Sequence, residues 1–224
     1  MPRETKPILC YVTDRAALHA LPQGVAGAPV ADDLPGVIRR AVTAGVDWIQ
    51  LREKDLPAHA LVELARGAVA AAHGSGTRIL INDRLDVALA AGAAGVHLGE
   101  ESLPVAEVVR WRRTAGREAG TFLVGVSCHS WAAAVEAEHG GADYLVFGPV
   151  FATLSKAAFG PPQGLDRLAE VCRSVRIPVL AIGGVALENA SACLAAGAAG
   201  LAAIRLFQES AELAAVVAQL RTRF

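Results

Sequence analysis

Short apolar runs alternate with helical patterns from one end of the chain to the other. The runs Ile8–Asp14, Asp47–Arg52, Arg78–Asp83, Gly95–Gly99, Phe122–Ser127, Tyr144–Val150, Pro178–Gly184 and Gly200–Phe207 are aliphatic or aromatic and lead into polar residues or glycine. Parallel strands covered on both faces read this way, because neither side-chain direction meets water. Between the runs lie amphipathic stretches. Leu61, Leu64, Ala65, Ala68, Val69 and Ala72 share one helical face, as do Leu213, Val216, Val217 and Leu220.

Glycines punctuate the pattern. Ala44-Gly45-Val46-Asp47, Ala91-Gly92-Ala93-Ala94-Gly95, Gly140-Gly141-Ala142-Asp143 and Ala196-Gly197-Ala198-Ala199-Gly200 each stop a helix just before a strand. Glycine suits that place because helices often end in a left-handed conformation. The stops recur about every 50 residues, or two βα units per interval. Eight such units in 224 residues predict a single-domain (β/α)8 TIM barrel over residues 1–224. A doubly wound open sheet is the rival, but it usually carries a glycine-rich loop after the first strand, and Tyr11-Val12-Thr13-Asp14-Arg15 is no such loop. The 24–33 stretch reads as an extended first βα loop, and no linker divides the chain.

Composition adjusts this picture in a few places. The chain is 53% hydrophobic, but much of that is alanine, and no run approaches the roughly 18 uninterrupted apolar residues of a spanning helix. Neither a membrane partner nor a signal peptide is expected, since the opening Met1–Pro7 is short and mixed in charge and no cleavage site precedes Asp14. Net charge is −1 with both signs interspersed, which argues against a nucleic-acid surface and for small-molecule chemistry. Cys10, Cys128, Cys172 and Cys193 are widely spaced without a C-x-x-C pair, so reduced thiols and a cytoplasmic location are expected.

Active sites of such barrels form at the C-terminal strand ends, and polar residues gather there. Gln50 and Arg52 alternate to one side with Lys54 beyond; they suit a phosphate or diphosphate, or else open a solvated loop. Asn82-Asp83-Arg84 is either an Asx turn or a carboxylate for a hard cation such as Mg²⁺. His97 reads as an interior hydrogen-bonding residue. His129, between Cys128 and Ser130 just past a strand end, is either structural or a general acid or base. His19, His59, His73 and His139 read as surface residues, and Cys128 lacks the paired base of a nucleophile. Thr153, Ser155 and Lys156 form an oxyanion or phosphate grip followed by a Gly-Pro-rich lid, or simply a flexible loop. Gly183-Gly184 and Ile204-Arg205 fall where barrels commonly bind phosphate on bare backbone amides.

Taken in order, Gln50–Lys54, Ile81–Arg84, Gly95–Gly99, Gly125–Ser127 with His129, Gly148–Phe151 with Thr153 and Lys156, and Ala181–Gly184 resemble the thiamine phosphate synthase / thiazole tautomerase superfamily along nearly the whole chain. The resemblance implies a (β/α)8 enzyme of thiamine biosynthesis taking small phosphorylated substrates, cytoplasmic and often a homodimer. For a synthase it implies that a hydroxymethylpyrimidine diphosphate ionises and the nitrogen of a thiazole phosphate attacks the carbocation. Gln50, Arg52, Lys54, Asn82 and Lys156 then grip the diphosphate, and Asp83 binds Mg²⁺. Ser127 and Thr153 line the pyrimidine side, while Gly184 and the end of the eighth strand hold the thiazole phosphate.

Two departures stand out. Ser102 occupies the place of a second metal-binding Asp, a poor substitute unless Glu101 reaches instead, and Ile204–Phe207 replaces a small Ser-Ala segment. Both lean toward the metal-independent tautomerase, in which His129 shuttles a proton, but Lys54, Asn82 and Asp83 keep most of the synthase's diphosphate half, so the synthase is the expected function and the tautomerase the alternative. A non-catalytic thiazole-phosphate-binding regulator is a further alternative. A Schiff-base aldolase is disfavoured because Lys54 and Lys156 fall in loops beyond the strands.

Overall fold

A computed structural model describes residues 6–19, 33–99, 101–117, 121–153 and 161–222. The expected residues 24–32, Glu100, Ser155 and Lys156, and the His19 side chain, lie outside the described set. The strands are β1 (Ile8–Val12), β2 (Trp48–Leu51), β3 (Arg78–Asn82), β4 (Gly95–Leu98), β5 (Leu123–Cys128), β6 (Tyr144–Phe147), β7 (Val179–Ala181) and β8 (Gly200–Ala203). All pair in parallel in sequence order, and β8 closes on β1 through Ile8 opposite Gly200. The helices are α1 (Arg15–His19), α2 (Leu34–Thr43), α3 (Ala58–Ala72), α4 (Leu85–Ala91), α5 (Val105–Thr114), α6 (Trp131–His139), α7 (Gly164–Ser174), α8 (Ala190–Ala195), α9 (Arg205–Gln208) and α10 (Leu213–Thr222). The predicted (β/α)8 barrel is therefore the observed fold. Among the described residues no helix is long and apolar enough to cross a membrane.

Strand alternation divides the apolar residues into two cores. Cys10, Val12, Leu80, Leu123, Tyr144, Val146, Leu180 and Ala202 fill the barrel, with Trp48, Ile182 and Ile204 packed against them. The other strand faces, including Leu9, Ile49, Ile81, Val96, Val124 and Leu201, pack against the helices. The helical faces read from sequence are the ones buried, as Leu61, Ala65, Ala68 and Ala72 in α3 show. Gly45, Gly92, Gly141 and Gly197 all take positive φ, so the helix stops rest on the left-handed geometry that singled them out.

Several expected runs outlast their strands, and the last of them gives way to a helix. The run Gly200–Phe207 is strand only to Ala203, after which the chain turns into α9. Leu206 and Phe207 are apolar because α9 packs onto the outer core, where the Phe207 ring lies 6.2 Å from that of Tyr11. A short apolar run cannot by itself tell strand from helix.

The barrel interior also explains a glycine. The Tyr144 ring crosses β5 so closely that a Cβ on Gly125 would stand 2.0 Å from its Cζ. Gly125→Ala is expected to lower stability by roughly 1–3 kcal/mol through overpacking, measured by urea denaturation.

Candidate active site

The C-terminal ends of β2 to β5 bring Gln50, Asn82, His97 and Ser127 to one mouth. Two hydrogen-bonded chains join them. In the first, Gln50 Nε2 donates to Asn82 Oδ1 at 2.8 Å, and Asn82 Nδ2 donates to Asp83 Oδ2 at 2.7 Å. A carboxylate only accepts, so Asp83 fixes the orientation of both amides in turn. Gln50, 3% exposed, is left with its carbonyl oxygen for a ligand. The other Asp83 oxygen accepts from the Gly99 amide at 3.2 Å and from the Ser102 hydroxyl. Asp83 has φ of 61°, alone among the described non-glycine residues in taking a positive value. The Arg84 amide bonds back to the Asn82 carbonyl at 2.7 Å, so a tight turn holds this carboxylate at the rim. A side chain kept in a sparsely populated backbone region is a common mark of a functional site.

The second chain runs through His97. Its Nδ1 lies 3.0 Å from the Tyr144 hydroxyl and its Nε2 2.8 Å from Ser127 Oγ. Burial pushes its pKa down from 6.5 to about 4, with the Asp83 charge opposing and Arg52 assisting. The ring is therefore neutral at neutral pH. The unfolded chain takes up a proton near pH 6.5 that the folded chain refuses until about pH 4. The His97 contribution is thus complete above pH 6.5, falls by about 3 kcal/mol as pH drops to 4, and levels off below. Urea denaturation across that window is expected to show a steeper loss of stability with falling pH in the parent protein than in His97→Gln.

The cations stand on the loop after β2. Arg52 is half-buried and close enough to His97 to lower its pKa, while Lys54 is exposed. Among the described residues neither side chain makes a hydrogen bond or ion pair. The loop itself is bolted down. Thr13, wholly buried, accepts from the Arg52 amide at 3.0 Å and donates to Glu53 Oε1 at 2.5 Å. The second Glu53 oxygen accepts from the Arg15 amide at 3.0 Å. Burial raises the Glu53 pKa, and these hydrogen bonds oppose the rise. The backbone that carries Arg52 is thus fixed from β1.

Across the mouth, Gly183 and Gly184 have φ of 95° and 63° and press against the segment after β6. A Cβ on Gly183 would stand 2.5 Å from Pro149 Cα, and one on Gly184 2.7 Å from the Ala152 carbonyl oxygen. Among the described residues no acceptor meets either glycine amide, which leaves both free for an anion. Asn189 braces this turn, accepting from the Ala186 amide and donating to the Gly184 carbonyl oxygen, both at 2.9 Å. Ile204 stands at the start of α9, and Arg205 is its exposed first residue.

The remaining expected residues divide. Thr153 is half-buried past β6, next in the chain to Ala152, whose carbonyl oxygen faces Gly184. His129 Nδ1 bonds to the Gly148 carbonyl oxygen, which ties the ends of β5 and β6 together. A carbonyl only accepts, so Nδ1 carries a proton, and in the neutral form of the ring Nε2 carries the lone pair. Cys128 is wholly buried in the outer core and away from the mouth. Glu101 is exposed, and it is the Ser102 hydroxyl that touches Asp83. Among the described residues no three His, Cys, Asp or Glu side chains are placed to share a cation.

Reading the sequence for strand-end chemistry misses Tyr144, Thr13, Glu53 and Asn189 as supports of the site. Tyr144 enters from the start of β6, Thr13 and Glu53 act through groups distant in sequence, and Asn189 acts within its own turn. For Asn189 the available signal is a side chain that caps a local turn.

Three comparisons bear on this geometry. A family model described as thiamine monophosphate synthase matches residues 25–207. The chain is similar to a putative thiamine-phosphate synthase of Geobacter sulfurreducens, 52% identical over 77% of this chain and 78% of that one. It is likewise similar to a thiamine-phosphate synthase of Anaeromyxobacter dehalogenans, 43% identical over 94% and 90% of the two chains. Among solved structures, thiamine phosphate pyrophosphorylase from Pyrococcus furiosus superposes with a TM-score of 0.74 at 30% identity, covering 95% of this chain and 96% of that one. A 3-hexulose-6-phosphate synthase, TM-score 0.65 at 20% identity over 96% and 98% of the two chains, shares the fold. A barrel mouth whose cations and glycine amides, on opposite sides, meet no partner among the described residues is carried by a sequence this similar to the synthases: the chain belongs to the thiamine monophosphate synthase family.

Proposed function

We propose that this protein is a thiamine-phosphate synthase, joining hydroxymethylpyrimidine diphosphate to thiazole phosphate with release of diphosphate. Besides the family membership, the observation that carries this reading is the two-sided mouth. Arg52 and Lys54, without protein partners among the described residues, stand on one side, and the free amides of Gly183 and Gly184 stand on the other. Two anionic groups are thereby held apart across one pocket.

Asp83 fits a single Mg²⁺ contact, since this cation commonly takes one or two carboxylates and completes its shell with phosphate oxygens and water. Bound there, Mg²⁺ supplies charge neutralisation on the leaving diphosphate. Arg52, Lys54 and Lys156 add positive charge to the same group, which the ionisation needs more than it needs a base. Ser127 and Thr153 border the pyrimidine, with the Gln50 carbonyl oxygen turned toward it. Gly183, Gly184, Ile204 and Arg205 bind the thiazole phosphate and aim its ring nitrogen at the cation. A cytoplasmic, homodimeric enzyme of one barrel domain goes with this reading.

One observation favours a second reading. The free Nε2 lone pair of His129 is what a proton shuttle needs, as in a metal-independent thiazole tautomerase.

The deciding assay incubates the purified protein with both phosphorylated precursors, with and without Mg²⁺, and follows thiamine phosphate and diphosphate. Metal-dependent formation of both products is expected. If neither forms in protein that still binds thiazole phosphate, the synthase reading fails, and loss of tautomerase turnover in His129→Ala then supports the second one.

A further inference from the structure

We propose that Tyr144 is a positioning residue: its buried hydroxyl donates to His97 Nδ1, His97 Nε2–H donates to Ser127 Oγ, and Ser127 keeps its own proton to present to the pyrimidine ring. The inference rests on the synthase reading, because it concerns the substrate that faces Ser127.

The direction of the chain follows from counting donors and acceptors. Tyr144 is 1% exposed, and among the described residues its hydroxyl has His97 Nδ1 as its hydrogen-bond partner. Were Nδ1 protonated, it would donate to the phenol oxygen and leave the phenol proton buried without an acceptor. The opposite arrangement satisfies every proton. The neutral ring then carries its hydrogen on Nε2, and Ser127 Oγ, 2.8 Å away, must accept it. The Ser127 hydroxyl retains its proton and one lone pair for the ligand. A ring nitrogen beside an exocyclic amine, as on an aminopyrimidine, offers the complementary acceptor and donor. With the tautomer reversed, Ser127 would give its proton to His97 and could only accept from the ligand. Packing holds the phenol in place, with Trp48 at 4.6 Å between ring centroids and Gly125 without a side chain beneath it.

The test is long-range ¹H–¹⁵N correlation on ¹⁵N-histidine-labelled full-length protein, with the His97 signals assigned by their loss in His97→Asn. A proton on Nε2 and none on Nδ1 is expected; a proton on Nδ1 overturns the proposal without bearing on whether the enzyme makes thiamine phosphate. Tyr144→Phe keeps the ring and removes the donor. In it the Nδ1 resonance is expected to move toward that of a free unprotonated nitrogen. The KM for the pyrimidine diphosphate is expected to rise about 5–10-fold, as for one lost hydrogen bond, with that for thiazole phosphate unchanged. A folded variant with an unmoved Nδ1 resonance, or with both KM values shifted alike, refutes the positioning role.

Discussion

Replacing Arg52 with alanine is expected to lower kcat/KM for the pyrimidine diphosphate by about 10²–10³-fold, the usual effect of deleting one preorganised group that stabilises developing charge. The reason lies in how the guanidinium is held. It carries no protein partner among the described residues, so its charge is available to ligand, while its backbone is locked by the Thr13 hydroxyl. Thr13 is locked in turn by Glu53. A cation placed this way needs little reorganisation as negative charge builds on the leaving diphosphate. Steady-state kinetics with each substrate varied in turn check the result. The KM for thiazole phosphate is expected to hold, because the Gly183-Gly184 turn stands across the mouth and is braced by Asn189 instead. Arg52→Lys is expected to recover part of the rate, since it restores the charge without the planar fork. A folded Arg52→Ala protein with unchanged kinetics would remove Arg52 from the diphosphate site.

The second large effect concerns the metal. Asp83→Asn is expected to reduce Mg²⁺-dependent activity by about 10²-fold or more, since a Lewis-acid contact contributes several kcal/mol. Asn tolerates a left-handed backbone, so the turn at φ 61° should survive. Ser102→Asp is expected to act in the opposite sense. The Ser102 hydroxyl now touches the Asp83 carboxylate, and a second carboxylate there repels the first until a cation enters between them. Calorimetric titration of the diphosphate-free protein with Mg²⁺ is expected to show at least roughly tenfold tighter binding in Ser102→Asp, equivalent to ~1.4 kcal/mol. Its thermal stability without metal is expected to fall. Equal Mg²⁺ affinity in both proteins would place the metal elsewhere.

Much of this was legible in the order of residues. Continuous apolar runs alternating with helical faces point to parallel strands covered on both sides, and glycines that stop helices before strands set the barrel's rhythm. Gly45, Gly92, Gly141 and Gly197 could be identified because their requirement is local, a backbone conformation that side chains resist. Strand-end residues such as Arg52, Asn82 and Gly184 could be named because the fold alone says which ends meet. The end of β8 could not, since Leu206 and Phe207 are equally apolar in a strand and in the helix that α9 forms.

What the sequence determined by itself was therefore the fold and which strand ends meet at its mouth, because both follow from short-range patterns. Tertiary structure decided how the groups at that mouth are oriented and hydrogen-bonded. Asp83 orients Asn82 and, through it, Gln50 across two strands' ends. Tyr144 reaches His97 from 47 positions away, and Thr13 holds a loop 39 positions on. Such contacts depend on barrel closure and strand stagger, and hydrogen-bond direction depends on which partner can only accept; neither leaves a periodic trace along the chain.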